Sequence, residues 1–179
     1  MNIPNTLTVL RIILVPIMVI CLIQAYYVEA FVIFIFASIT DGLDGFLARV
    51  LKQKSVLGAY LDPLADKALI ASAFVTLSIM GIIPAWLTVI VISRDFVILV
   101  GICVLTFLSV SFEIRPAPIS KITTALQFAT IFFAMLAVSK LLVFEPFFLD
   151  IIFWLTAGLT VLSGLNYIIK GVQHINSST

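Results

Sequence analysis

Between Lys67 and Arg94, between Asp95 and Glu113, between Lys121 and Lys140, and between Asp150 and Lys170, the chain carries no charged residue. Apolar runs of this length cross a bilayer as helices, because ~20 residues at ~1.5 Å each match the ~30 Å hydrocarbon core and a helix satisfies its own backbone. Composition agrees: of 179 residues 63% are hydrophobic and 11% charged, and the mean hydropathy is +1.27, far above the apolar share of a soluble domain. The reading is an all-α integral membrane protein, a single domain over residues 1–179 with six transmembrane helices. The spans run roughly 6–26, 29–50, 58–80, 84–109, 119–139 and 147–170.

The first run is kept as a membrane helix and not a leader, since it contains Arg11 and shows no small-residue cleavage pattern before Tyr26. Asn5 is expected to cap that helix and Pro84 to sit in the first turn of the fourth, while Pro16 and Pro63 bend theirs. A net charge of +1, with no basic run interleaved with aromatics, argues against a nucleic-acid partner. Cys21 and Cys103 lie in apolar runs and read as small hydrophobes. His174 stands alone in a polar tail and is given no catalytic role.

Four aspartates interrupt the oily pattern. Asp41, Asp44, Gly45 and Ala48 fall at i, i+3, i+4 and i+7 on one helix face; Gly58, Asp62 and Asp66 run i, i+4, i+8 on the next. Counted inward from the turn between two antiparallel helices, Asp44 and Asp62 lie roughly 6–8 Å deep, and Asp41 and Asp66 roughly 12 Å. Four carboxylates at matched depths repel one another unless hard cations hold them together. An all-oxygen ligand set suits Mg2+ or Mn2+, which keep several waters and bridge substrate phosphates. Gly45 and Gly58 let backbone approach a ligand closely, and Arg49 offers a cationic fork for phosphate.

Other charges within the spans are Arg11, Lys67, Arg94 and Asp95. Each needs a reason to be there. Arg94 and Asp95 are adjacent, so on a helix they point in different directions and each is expected to find another partner. Lys67 can neutralise a neighbouring carboxylate or touch ligand. Lys121, Thr123, Thr124 and Gln127 make a polar patch at the start of the fifth span, with Arg115 in the loop before it. Basic residues collect at one side: Arg49, Lys52, Lys54, Arg115, Lys121 and Lys170, against Lys140 opposite. By the positive-inside rule, both termini and the motif turn face the cytoplasm.

The pattern Asp-x2-Asp-Gly-x2-Ala-Arg-x8-Gly-x3-Asp-x3-Asp, filled at every fixed position from Asp41 to Asp66, resembles the signature of the CDP-alcohol phosphotransferase family. Eight specified residues arise by chance in such a chain on the order of 10⁻⁸. The opening Asn2-Ile3-Pro4-Asn5 with Arg11, Asp62 to Lys67, Ile92-Ser93-Arg94-Asp95 and Ser120 to Thr124 are similar to its phosphatidylglycerophosphate synthase branch and to the eukaryotic-type cardiolipin synthases.

The resemblance implies that an acceptor hydroxyl attacks the phosphatidyl phosphorus of CDP-diacylglycerol and CMP leaves. It implies that Asp41, Asp44, Asp62 and Asp66 surround two Mg2+ or Mn2+ ions, that Asp66 is the general base, and that Gly45, Ala48, Arg49 and Gly58 line the CDP site. Arg94, Arg115 and Lys121 become candidates to hold the acceptor's phosphate. The implied location is a bacterial inner membrane with the site on the cytoplasmic side, and the implied assembly a homodimer.

Glycerol 3-phosphate is the expected acceptor. Phosphatidylglycerol is the alternative, because many members of the first branch have glutamate where Asp95 stands and a second arginine about two turns on, whereas this segment reads Val97 to Val104 without one. A cation transporter with an acidic intramembrane site is the competing class. It requires access from both faces, and the polar residues here gather in the cytoplasmic half.

Overall fold

The computed structural model describes residues 3–50, 56–107, 118–142 and 145–178, with side chains at 6–40, 64–101, 118–142, 145 and 147–169. Six helices follow one another: α1 (Ile3–Ile23), α2 (Tyr27–Val50), α3 (Val56–Ile79), α4 (Ala85–Phe107), α5 (Pro118–Val138) and α6 (Pro146–Ser178). The last runs further than its apolar stretch because the polar tail continues the same helix. Among the described residues, three segments are long and apolar enough to cross a membrane: Thr6–Ile23, Pro118–Val138 and Phe147–Ile169. Tyr27–Thr40 is a shorter apolar stretch of α2, which continues as helix through the acidic motif to Val50.

Two helix starts differ from expectation. α1 already begins at Ile3, so Asn5 lies within its first turn and is not its cap. Pro84 precedes α4, and its carbonyl accepts from the amides of Leu87 and Thr88 at 3.1 and 3.4 Å. A residue without an N–H loses nothing there.

Contacts divide the chain into two compact units: residues 1–82 with 131–144, and residues 83–130 with 145–179. In the first, α1 packs against α2 and α3. The buried face of α2 is Ala30, Phe34 and Ala37, at i, i+4 and i+7, and α3 buries Ala65, Leu69, Ala73 and Leu77. Alanines at these positions let backbones approach, which matters where lipid removes the hydrophobic drive between helices. Phe31 meets Phe132 with ring centroids 5.3 Å apart.

In the second unit α4 packs on α6, with Trp86 and Trp154 at 4.8 Å. α5 is joined to α6 by polar contacts. The Thr123 hydroxyl shares its proton between the Ile119 carbonyl of its own helix at 2.8 Å and the Leu159 carbonyl at 3.2 Å, Gln127 Nε2 donates to Thr160 Oγ1 at 3.3 Å, and the hydroxyls of Thr130 and Thr156 meet at 2.7 Å. Thr130 gives its one proton to the Leu126 carbonyl, so Thr156 is the donor of that pair. Large apolar side chains such as Ile13, Ile20, Phe96 and Leu162 remain exposed, the arrangement a hydrocarbon solvent favours and water does not.

Two helix ends show how the turns are made. At the end of α3, Gly81 has φ 73° and the Ile82 amide reaches back to the Leu77 carbonyl at 2.9 Å. At the end of α1, Ala25 adopts φ 62° and the Tyr26 amide bonds the Cys21 carbonyl at 2.8 Å. Both are left-handed C-terminal caps, but only the first uses the residue that adopts this geometry without strain. Ala25→Gly is therefore expected to raise stability by about 0.5–1 kcal/mol, the relieved strain exceeding the added freedom of the unfolded chain. Thermal unfolding in detergent checks this; an unchanged or lowered midpoint contradicts it.

Candidate active site

The acidic motif is helical throughout its described backbone: Asp41, Asp44, Gly45, Ala48 and Arg49 lie in the last turns of α2, and Gly58, Asp62 and Asp66 in the first half of α3. Helical periodicity thus keeps each expected set on a common face. The side chains of Asp41, Asp44, Gly45, Ala48, Arg49, Gly58 and Asp62, and all of Arg115, lie outside the described residues.

Asp66 is described, and its surroundings reveal a contact that spacing alone did not disclose. Arg11, fully buried in α1, donates through Nη1 to Asp66 Oδ1, while the Asp66 side chain remains 34% exposed. A guanidinium one-third of the way along an apolar helix needs a carboxylate from a neighbouring helix. The ion pair joins the first helix to the acidic face of the third and restrains the carboxylate. Lys67, the next residue, is half-buried.

The donor set fits a hard divalent cation. Four carboxylates supply only oxygen, neither sulfur nor imidazole stands in the motif, and such ligands suit Mg2+ or Mn2+.

Arg94 lies in the second unit. Contrary to the expectation that neighbours on a helix cannot pair, Arg94 Nη1 donates to Asp95 Oδ1 at 2.7 Å. The long arginine side chain folds back to its neighbour, which Cβ directions alone do not forbid. Arg94 also takes further partners: Nη2 donates to Ser120 Oγ at 2.6 Å and to Ser163 Oγ at 2.8 Å. Lys121, the residue after Ser120, is exposed at the start of α5. Arg94 and the first turn of α5 are thus brought together through Ser120. Ser163 was missed, although Thr156, Thr160 and Ser163 repeat at i, i+4 and i+7, the same rhythm as Thr123, Gln127 and Thr130 on α5.

The sequence profile of CDP-alcohol phosphatidyltransferases matches residues 1–162. The chain belongs to the CDP-alcohol phosphatidyltransferase family. The Bacillus subtilis protein named CDP-diacylglycerol–glycerol-3-phosphate 3-phosphatidyltransferase is 32% identical over 99% of this chain and 98% of its own length. A probable phosphatidylglycerophosphate synthase of Mycobacterium tuberculosis is 33% identical over 97% of this chain and 83% of its own. Human cardiolipin synthase (CMP-forming) is 33% identical over 93% of this chain and 60% of its own.

Membership answers the transporter alternative: the chain is a membrane-embedded phosphatidyltransferase. The Arg11–Asp66 pair makes a first prediction about it. Arg11→Ala removes the cation opposite Asp66 and should destabilise the enzyme by about 2 kcal/mol, less than the ~3–5 kcal/mol of a fully buried pair because Asp66 is partly exposed. CMP release should fall at least tenfold, roughly the effect of a misplaced reacting group. Wild-type melting and turnover in that variant would show that the pair is dispensable.

Proposed function

We propose that this phosphatidyltransferase transfers the phosphatidyl group of CDP-diacylglycerol to glycerol 3-phosphate, releasing CMP and forming phosphatidylglycerophosphate. The observation that carries this reading is the B. subtilis relative named for that reaction, which this chain matches over almost the whole length of both proteins. Asp41, Asp44, Asp62 and Asp66 are the proposed ligands of two Mg2+ or Mn2+ ions. Bound there, the ions would neutralise the diphosphate and make its phosphorus more electrophilic.

The chain's own residues do the rest. Gly45, Ala48 and Gly58 leave room for the cytidine nucleotide, and Arg49 meets its phosphate. Arg94, Arg115 and Lys121 hold the acceptor's phosphate, where charge-assisted hydrogen bonds are strongest. Asp66, restrained by Arg11, accepts the proton of the acceptor hydroxyl. A new P–O bond then forms to that oxygen, the P–O bond to CMP breaks, and CMP departs with its electron pair. The acyl chains stay in the bilayer throughout.

The same reading takes all six helices as spans of one catalytic domain, with the motif turn on the cytoplasmic face of a bacterial inner membrane and the enzyme a homodimer. Phosphatidylglycerol as acceptor is the second reading. It is favoured by the Ser93-Arg94-Asp95 sequence and by the 33% identity to human cardiolipin synthase.

Offering the purified enzyme CDP-diacylglycerol with each acceptor in turn, and weighing the lipid formed, decides between them. Phosphatidylglycerophosphate is expected; cardiolipin, with glycerol 3-phosphate ignored, overturns the assignment. Asp66→Asn should retain CDP-diacylglycerol binding while turnover falls by about 10²–10⁴, since an amide cannot take the proton. Near-normal turnover in that variant contradicts the base assignment.

A further inference from the structure

We propose that Ser163 of α6, together with Ser120 of α5, is a positioning residue for the acceptor, acting through Arg94; the inference rests on the reading of Arg94 as an acceptor-phosphate ligand. Arg94 is held on three sides. Asp95 takes Nη1 at 2.7 Å, and both serine hydroxyls accept from Nη2, at 2.6 and 2.8 Å. A guanidinium has five N–H donors, two on each terminal nitrogen and one on Nε. Both protons of Nη2 are therefore committed, and one of Nη1. Nε is buried and has no hydrogen-bond partner among the described residues.

A buried cationic donor left unmatched is costly and calls for an explanation. An oxyanion that accepts from Nε provides one. The serines fix the guanidinium plane without adding negative charge, so they orient the cation and leave neutralisation to Asp95 and the ligand.

The clamp is built from three helices. Gly164 lies beside the arginine stem, where a Cβ would make ordinary van der Waals contact with Arg94 Cγ at 3.5 Å. Ser120 and Ser163 come from helices whose register is set by the contacts Thr123–Leu159, Gln127–Thr160 and Thr130–Thr156. Ser163 is 3% exposed and Arg94 6% exposed. Within so closed an environment, loss of one hydroxyl leaves an Nη2 proton unmatched and lets the guanidinium turn toward another acceptor.

Steady-state kinetics with each substrate varied separately test this. Ser163→Ala should raise the KM for glycerol 3-phosphate roughly tenfold, the equivalent of one hydrogen bond to a charged group, with the KM for CDP-diacylglycerol unchanged and the melting temperature lowered by the unmatched donor. Ser163→Thr, which keeps the hydroxyl, should restore the KM to within about twofold, and Ser120→Ala should reproduce the defect. Arg94→Lys serves as the reference. If it raises the acceptor KM while both serine-to-alanine variants leave that constant alone, the clamp is wrong and the arginine's role stands. If Arg94→Lys itself leaves the acceptor KM unchanged, the acceptor reading of Arg94 fails and the positioning role with it. A Ser163→Ala enzyme that shifts both KM values equally shows a packing role only, which also overturns the proposal.

Discussion

Charge in hydrocarbon is the constraint on which the rest of this molecule depends. A side chain carrying a full charge at the middle of a bilayer costs several kcal/mol unless another charge or a bound ion answers it. The described charges inside the apolar helices meet this demand by pairing: Arg11 with Asp66, and Arg94 with Asp95 and two serines. The acidic motif goes further, since its four carboxylates outnumber the cations near them in sequence and fold, Arg11, Arg49 and Lys67. That excess is the physical argument for the divalent-metal site proposed above, and oxygen-only donors would narrow the choice to hard cations.

The two compact units handle polar groups differently. The unit with α1, α2 and α3 buries alanines and large apolar side chains around its Arg11–Asp66 ion pair. In the unit with α4 and α6, the seam between α5 and α6 consists of threonines and a glutamine bonded to one another or to backbone carbonyls. Neutral hydrogen bonds of this kind add modestly to stability in a membrane but fix register, because a slipped helix strands each partner. The first arrangement buries one ion pair between helices; the second seats Arg94 against Asp95 and two serines.

Much of the fold was legible in the sequence because hydrocarbon leaves few options. Predominantly apolar stretches of about 20 residues predicted each of the six helices to within a few residues, apart from the long tail of α6. The acidic motif was legible because its spacing is a helical face. Three features were not. The Arg11–Asp66 pair is separated by 55 positions, and nothing in local spacing selects that carboxylate among four. The Arg94–Asp95 pair contradicts an argument from Cβ directions, since it depends on how far a flexible side chain bends. The α5–α6 seam was written as matching i, i+4, i+7 polar rhythms but passed over, because threonines within an apolar helix also bond their own backbone.

The account's central claim is that the intramembrane carboxylates form one cation site that catalysis requires. Electron paramagnetic resonance of Mn2+ added to the purified enzyme in lipid nanodiscs measures this directly. The account predicts binding of about two ions per chain, abolished by Asp44→Asn or Asp62→Asn, with CMP release from CDP-diacylglycerol rising in step with occupancy. No bound Mn2+, together with undiminished CMP release in excess chelator, would contradict it.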